Sequence, residues 1–313
     1  MSAQVAVLRI GCKRSGKQAM NDNNSPRVAL VTGASRGVGC GIARALGAKG
    51  MTVYLSGRTW DGNGTDVVNG QPLSGNLRQA AADVCAAGGQ AIPVLCDHAD
   101  DVQVAALFKR IELEQGRLDL LVNNATFLPA QLIEPGPFWD KPLDMAGMLD
   151  VGLRSAYVAS CLAMPLLLRS RQGLIAFISS YGANCYMHGP AYGAQKAGCD
   201  KMAADMAVDL ETTAVSAVSL WLGLQKTERS ALAGASVGAE YAAFLDRAET
   251  PEFTGNLIHA LLNDPDLKQL SGQALIVAEQ ALTYGLQDLD GRQPASLRNQ
   301  LGGPRGVNPA RVG

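Results

Sequence analysis

From Arg27 onward, short apolar segments alternate regularly with segments of helical periodicity. The apolar segments, which have the length of buried strands, are residues 28–32, 52–56, 91–96, 118–122, 174–178, 215–220 and 274–277. The helical segments are residues 39–50, 76–87, 102–115, 143–171 (as one long helix or two), 190–210 and 250–262. Strands that alternate with helices build a parallel sheet with helices on both faces. We therefore predict an α/β fold, a single doubly wound domain with a seven-stranded parallel sheet.

Two segments at the ends of the chain lie outside this alternation. Residues 1–24 are mostly polar, so we predict a disordered N-terminal extension; translation that starts at Met20 is an alternative. Residues 25–292 contain the predicted domain. Residues 293–313, with two adjacent glycines followed by a proline, predict a poorly ordered C-terminal tail.

The composition excludes several classes of function. The formal net charge is -1 and the basic residues are scattered, so no basic surface for nucleic acid is expected. No apolar run approaches the ~18 residues of a membrane span, and no signal peptide precedes the first strand. We therefore predict a cytoplasmic protein without membrane contact. The seven cysteines include no C-x-x-C pair and the three histidines lack ligand spacing, so neither a disulfide framework nor a metal site is predicted.

A glycine-rich turn, T-G-A-S-R-G-V-G at residues 32–39, separates the first strand from the first helix. Glycine permits positive φ and lets a pyrophosphate approach the main chain. The helix N-terminus adds unpaired N–H groups and the positive end of the helix dipole. In this position the turn predicts a dinucleotide site of the Rossmann type. Its candidate cofactor contacts are Gly33, Ser35, Arg36, Gly37, Val38 and Gly39.

The end of the second strand bears on the choice between NAD and NADP. An acidic residue there would bind the ribose 2′-hydroxyl of NAD. The chain instead reads L-S-G-R-T at residues 55–59, with no acid. Arg58 and Arg36 suit a 2′-phosphate because a guanidinium matches phosphate in charge and geometry. We therefore predict NADP(H); the alternative is that Arg58 is only a solvated loop residue.

Tyr192 and Lys196 are the predicted reactive pair. A spacing of four residues places both side chains on one face of the helix predicted at 190–210. A free tyrosine has a pKa near ~10, too high for efficient proton exchange at neutral pH. A nearby ammonium favours the phenolate and lowers that pKa. The pair therefore predicts acid–base chemistry at this helix.

The glycine turn and the Y-x-x-x-K pair together resemble the short-chain dehydrogenase/reductase family, and the resemblance covers roughly residues 27–292. Several segments look like one branch, the dehydrogenase/reductase family member 1 group. The resemblance implies an NADP(H)-dependent carbonyl reductase that transfers a hydride from the nicotinamide to a carbonyl carbon. It implies that Tyr192 donates the proton and that Lys196 binds the nicotinamide ribose. It also implies a homodimer or homotetramer.

The resemblance assigns further site residues. Ser180 would bind the substrate oxygen; Ser179 fits the usual gap to the tyrosine, but we choose Ser180 as the second serine of the I-S-S pattern. Asp97 would bind the adenine amino group, and His98 would line the adenine site. The remaining implied cofactor contacts are Asn124, Ala125, Gly223 and Thr227, together with Tyr192 and Lys196 of the reactive pair.

Three departures from the family pattern bear on activity. Asp150 stands where we place the family's asparagine, which holds a proton-relay water, and its charge would oppose the lowering of the Tyr192 pKa. Leu222 replaces the proline of a P-G element, and Thr126 replaces a glycine. Asp150 and Leu222 motivate an alternative function, a catalytically weak or inactive NADP(H)-binding regulatory protein, whereas the change at Thr126 is mild.

The substrate is the least constrained feature. Residues 225–247 carry alanines, leucines, Tyr241 and Phe244 among charged residues, which fits either an amphipathic lid or an ordinary pair of surface helices. With Phe127, Met187 and Trp221 nearby, we predict a mostly apolar carbonyl compound as the small-molecule substrate.

Overall fold

A seven-stranded parallel sheet forms the centre of the protein, seen in a computed structural model that describes residues 25–312 other than 63, 65, 66, 69 and 238. Its strands lie side by side in the order β3-β2-β1-β4-β5-β6-β7. They are β1 (Val28–Thr32), β2 (Thr52–Gly57), β3 (Gln90–Leu95), β4 (Leu120–Asn123), β5 (Gly173–Ser180), β6 (Val215–Leu222) and β7 (Ala274–Ile276). The predicted α/β fold and seven-stranded parallel sheet are confirmed. The extension predicted at 1–24 lies outside the described residues.

Helices connect the strands. They are α1 (Gly37–Ala48), α2 (Leu77–Ala86), α3 (Asp101–Gln115), α4 (Ser155–Leu167), α5 (Pro190–Asp209), α6 (Glu228–Val237), α7 (Ala239–Asp246), α8 (Pro251–Asn263) and α9 (Val277–Thr283). Short helical turns cover Ala130–Ile133, Phe138–Asp140, Leu143–Ala146, Gly147–Leu149, Tyr181–Ala183, Leu267–Leu270 and Arg298–Leu301. A two-stranded hairpin, Val67–Val68 with Gln71–Pro72, lies in the loop predicted after β2.

Two apolar cores fill the space between the sheet and the helices. Alternation along β1 sends Ala29 and Val31 to the core under α1, α2 and α8. The same alternation sends Val28 and Leu30 to the core under α3, α4 and α5. Both faces of the sheet are therefore covered, which explains why its strands are apolar throughout rather than in alternate positions.

A break interrupts the segment predicted as one helix or two at 143–171. Val151 and Gly152 have non-helical backbone angles, and Gly152 has φ of 138°. The break frees the Val151 carbonyl, which accepts a hydrogen bond of 2.8 Å from the Phe127 N–H. Gly152 N donates to Ser155 Oγ at 3.0 Å, at the start of α4. The break therefore attaches this helical segment to the loop after β4.

The C-terminal residues differ from the prediction of poor order. Leu297 and Leu301 pack in a cluster with Tyr181 and Trp221. The Leu297 N–H donates to Tyr181 Oη at 3.0 Å, and Asn184 Nδ2 donates to the Gly303 carbonyl at 2.8 Å. The composition of this segment is typical of disorder, but contacts with residues more than 100 positions earlier hold it against the segment after β5.

Candidate active site

The turn between β1 and α1 is shaped by glycines that leave no room for side chains. Gly33 has φ of 66°, and a Cβ there would lie 2.8 Å from Ala125 Cα. A Cβ on Gly39 would lie 2.5 Å from both the Gly33 carbonyl and Asn124 Nδ2. Gly37, with φ of 55°, begins α1. The turn therefore presents bare backbone and a helix N-terminus, which is the cradle that a pyrophosphate requires.

A cleft of about 510 Å³ opens above this turn at the carboxyl ends of the strands. Every residue of the glycine turn that we predicted as a cofactor contact lines it, as do Arg58, Asp97, His98, Asn124, Ala125 and Thr227. The sequence did not single out Trp60, Leu73, Leu128, Val151 or Arg229, which also line it. Both the volume and the cradle fit a dinucleotide.

Two arginines lie at the end of the cleft next to β2. Arg36 Nη2 donates to Thr59 Oγ1 and to the Gly75 carbonyl, each at 3.0 Å. Arg58 is exposed and lines the cleft. Asp61 lines it too, but its carboxylate lies 3.7 Å from the Arg78 guanidinium. This end of the cleft therefore has the guanidinium groups of Arg36 and Arg58. The carboxylate of Asp61 faces a third guanidinium group, that of Arg78.

The His98 imidazole is a buried, neutral group in the cleft wall. Its Nε2 lies 2.8 Å from Ser56 Oγ, and burial lowers its pKa to about 4. The neighbouring Asp97 carboxylate accepts the Ala99 N–H at 3.0 Å. A neutral imidazole fits a lining role better than acid–base catalysis at neutral pH.

Asn124 ties β4 to β1 under the glycine turn. Its Nδ2 donates to the carbonyls of Thr32 and Gly33 at 2.8 and 3.1 Å. The hydroxyl of Thr32 accepts the N–H groups of Asn124 and Ala125 at 3.0 and 2.9 Å. These bonds fix the turn relative to the sheet, so the Asn124 side chain acts on the cleft by holding the backbone of the turn.

Ser180, Tyr192 and Lys196 converge where β5 ends and α5 begins. Ser180 Oγ lies 3.0 Å from Tyr192 Oη, and Lys196 Nζ lies 5.4 Å from the centre of the Tyr192 ring. Lys196 is buried, and its Nζ donates to the Ile178 carbonyl at 3.1 Å. Ser179 Oγ donates to the Lys196 carbonyl at 3.2 Å instead. The structure thus brings Ser180, and not Ser179, to the tyrosine.

Asp150 makes no hydrogen bond to Ser180, Tyr192 or Lys196 in the described part of the chain, and its place in the proton relay stays a prediction. Its side chain is exposed, on the helical segment just before the break. Gly152, two residues later, is buried against α5, where a Cβ would lie 1.9 Å from Gln195 Nε2. Because the backbone turns sharply at Val151 and Gly152, the residue that packs against Gln195 of α5 is Gly152, and it has no side chain.

The sequence did not indicate a role for Gln195, because a polar residue next to Lys196 matches no motif. Gln195 is buried, and its Nε2 donates to Thr126 Oγ1 at 2.9 Å. Thr126 is the residue that departs from the family's glycine. The Gln195–Thr126 bond therefore attaches α5 to the end of β4 at the cleft wall.

Two acidic residues were also missed. The Glu228 carboxylate, at the start of α6, accepts the Gly37 N–H at 3.0 Å and lines the cleft. Asp200 lies one turn after Lys196 and accepts bonds from Ser219 Oγ and Trp221 Nε1 at 2.6 and 2.9 Å. Burial raises the pKa of Asp200. Only contacts between distant segments identify these two residues.

Comparison with known proteins decides the family. A family model described as short chain dehydrogenase matches residues 27–236. The chain is 40% identical over 278 residues to a Homo sapiens protein called dehydrogenase/reductase SDR family member 1, covering 85% of this chain and 84% of that protein. The chain belongs to the short-chain dehydrogenase/reductase family.

A second relative agrees with this family, and a solved structure agrees with the fold. A 3-oxoacyl-[acyl-carrier-protein] reductase from Synechocystis is 30% identical over 252 residues, which cover 80% of this chain and 95% of that protein. The crystal structure of a short chain dehydrogenase from Mycobacterium thermoresistibile matches with a TM-score of 0.70 at 24% identity, covering 86% of this chain and 91% of that one. Short-chain dehydrogenase/reductases are oxidoreductases that act on CH–OH or C=O groups with a nicotinamide cofactor, and this chain is one of them.

The walls beside the reactive pair of this short-chain dehydrogenase/reductase are mostly apolar. Leu132, Met145 and Met148 form a buried cluster against which Phe127 and Tyr192 pack. Trp221 was predicted to lie near the substrate. Its side chain is instead buried against Tyr181, and its Nε1 donates a hydrogen bond to Asp200. Among the described residues no helix has the length and apolar character to cross a membrane.

Proposed function

We propose that this protein is an NADP(H)-dependent carbonyl reductase for a mostly apolar aldehyde, ketone or quinone. The observation that carries the proposal is the 3.0 Å contact between Ser180 Oγ and Tyr192 Oη beside the buried Lys196 ammonium. A hydroxyl pair of this kind positions and protonates a carbonyl oxygen. The proposal assigns Tyr192 as the proton donor.

Ser180, Tyr192 and Lys196 have different tasks in the proposed reaction. Ser180 orients the substrate oxygen by a hydrogen bond, and Tyr192 donates its phenolic proton to that oxygen as the carbonyl is reduced. The Lys196 ammonium stabilises the phenolate that remains and binds the cofactor ribose. When bound, the nicotinamide supplies the hydride, which is chemistry of the cofactor rather than of the protein.

The preference for NADP(H) rests on the two guanidinium groups next to β2. Arg36 and Arg58 line the cleft where the adenine ribose of a dinucleotide on this turn would lie. A guanidinium matches a phosphate in charge and in hydrogen-bond geometry. Asp97 and His98 line the adenine end of the proposed site, and Thr227 its nicotinamide end.

A homodimer or homotetramer is part of the proposal. The two long helices on one face, α4 and α5, leave Tyr157, Leu168 and Val208 exposed at or near their ends. Apolar side chains of this size on neighbouring helices favour burial against a second copy. Light scattering of the purified protein gives the number of subunits; a monomer at micromolar concentration would contradict this part.

The test of the cofactor is a titration with NADPH and NADH, followed by fluorescence, for the wild type and Arg58→Ala. We expect tight NADPH binding that weakens about tenfold in the variant, because one charged phosphate contact is lost. Arg169→Ala, an exposed arginine that bonds the Gly116 carbonyl, is the matched control. A preference for NADH would overturn the NADP(H) assignment.

The test of the reaction is NADPH oxidation with a panel of aldehydes, ketones and quinones. We expect turnover with apolar members of the panel, and loss of that turnover in Ser180→Ala. The matched control is Ser179→Ala, which removes the neighbouring hydroxyl that bonds backbone instead of Tyr192. NADPH binding without turnover of any carbonyl would contradict the reductase proposal.

A further inference from the structure

Glu249 is a buried acid beneath the turn that follows β6. It lies between α7 and α8, and its side chain is 3% exposed. Its backbone runs alongside the turn, where it forms a parallel bridge with Gln225. None of the motifs in the sequence includes this residue.

Both the backbone and the carboxyl of Glu249 hold the turn. Its N–H donates to the Leu224 carbonyl and its carbonyl accepts the Lys226 N–H, each at 2.8 Å. Its Oε2 accepts the Gly223 N–H at 3.2 Å and Gln225 Nε2 at 2.6 Å. One residue therefore restrains four successive residues, 223–226.

The turn needs this restraint because its own residues supply little. Leu222 stands where a proline would fix φ, and Gly223 has the widest backbone freedom of any residue. A Cβ on Gly223 would lie 2.7 Å from Glu249 Oε1, so only glycine lets the carboxyl approach. The glycine at position 223 and the buried carboxyl of Glu249 therefore form one structural unit.

Space filling does not account for an acid at this position. No ion pair of Glu249 occurs in the described part of the chain, and the charged or titratable groups that face it are Asp288 and Tyr181. Burial raises its pKa to about 7. A leucine would fill the same volume without the cost of burying a carboxyl. What the carboxyl provides is an acceptor for the Gly223 N–H and the Gln225 amide.

We propose that Glu249 is a positioning residue for the nicotinamide half of the cofactor site. By holding residues 223–226 it fixes the next residue, Thr227, which lines the cleft. The inference rests on the proposed function, because it assigns the nicotinamide to this end of the cleft. Glu249 acts through the turn and does not itself line the cleft.

The test compares Glu249→Leu with Glu249→Gln. Leucine fills the space without an acceptor, and glutamine keeps an oxygen acceptor. Calorimetry measures the affinity for NADPH and for 2′,5′-ADP, a fragment that lacks the nicotinamide. We expect Glu249→Leu to weaken NADPH binding about tenfold and to leave 2′,5′-ADP binding within twofold. Glu249→Gln should stay within threefold of the wild type for both probes.

Glu252→Ala is the control, because Glu252 lies one turn further on and bonds Arg44 of α1 instead. If Glu249→Leu does not fold, judged by circular dichroism, Glu249→Ala takes its place. Unchanged NADPH binding, or an equal loss for both probes, in a folded variant would overturn the inference. A wild-type protein that binds neither probe would overturn the proposed function instead.

Discussion

At the scale of the residue, the position of two side chains relative to Tyr192 determines what its hydroxyl can do. Ser180 lies 3.0 Å from the hydroxyl, whereas the Lys196 ammonium lies 5.4 Å from the ring centre. The serine therefore acts on the tyrosine oxygen directly, and the lysine acts through its charge. Successive side chains on a strand point to opposite faces, which separates Ser180 from Ser179.

Removal of the Tyr192 hydroxyl tests its role as the proton donor. Tyr192→Phe should lower kcat by about a thousandfold, because the proton donor is lost, and should leave NADPH affinity within twofold. Steady-state kinetics and a fluorescence titration measure the two effects. Tyr186→Phe, at a tyrosine that is 83% exposed, is the control. More than a tenth of the wild-type kcat in Tyr192→Phe would contradict the assignment.

Asp150 should contribute little to the reaction, since its side chain is exposed before the helix break. Asp150→Asn should leave kcat within about twofold, and the pH optimum of the reaction should not move. The measurement is a pH profile of kcat/KM for both proteins. A shift of the optimum would restore Asp150 to the proton relay.

Gly152 is the position in this segment where a side chain cannot be accommodated. Gly152→Ala should lower the free energy of unfolding by about 2 kcal/mol or more, since it combines positive φ with a clash against Gln195. Urea denaturation measures the change. Gly50→Ala is the control, because Gly50 also has positive φ but nothing within 4 Å of a Cβ. Equal losses in both variants would mean that the clash is relieved at no cost.

At the scale of the element, the N-terminus of α1 already interacts with an acid of its own chain. The Glu228 carboxylate bonds the Gly37 N–H, in the cradle that suits a pyrophosphate. A carboxylate there gains from the positive end of the helix dipole, as a phosphate would. Cofactor binding therefore competes with a contact made by α6.

Glu228→Gln should tighten NADPH binding about threefold to tenfold, because the variant removes a negative charge beside the pyrophosphate site. Calorimetry at low salt measures the affinity. The effect should shrink as the salt concentration rises, since the interaction is electrostatic. Glu134→Gln, an exposed acid in the loop after β4, serves as the control. Weaker NADPH binding in Glu228→Gln would show that the carboxylate assists the cofactor.

Local sequence patterns predicted most elements and missed those that depend on distant partners. Each predicted strand falls within a few residues of an observed one, because burial on both faces leaves a continuous apolar signal. The alternative of two helices at 143–171 was left open, but the position of the break at Val151 and Gly152 was not predicted, since it depends on a hydrogen bond from Phe127. The glycine turn and the reactive pair have fixed spacings, whereas Glu228 and Glu249 lie in segments with no motif, and Gln195 occupies an unspecified position between Tyr192 and Lys196. Tertiary contact alone identifies them.

At the scale of the whole molecule, the stability of the protein should depend on pH through Glu249. Burial raises its folded-state pKa from 4.5 to about 7, so the stability linked to its protonation is present below pH 4.5 and is lost as the pH rises to 7. Glu249→Gln should flatten this fall in the free energy of unfolding, which amounts to about 3 kcal/mol at most. Urea denaturation at pH 5 and pH 8 measures it. If the free energy of unfolding changed with pH equally in the wild type and in Glu249→Gln, the raised pKa of Glu249 would be contradicted.

The contacts of the C-terminal segment affect the order in which the protein folds. The bonds from Leu297 to Tyr181 and from Asn184 to Gly303 close loops of 116 and 119 residues. Closing a longer loop costs more chain entropy, whereas β1 pairs with β2, and β2 with β3, over much shorter separations, as in Val28 with Thr52 and Thr52 with Gln90. These three strands can therefore pair early, and the segment after Ser180 gains its support from residues 297–303 in a late step. Recovery of activity after dilution from urea then lags behind recovery of secondary structure.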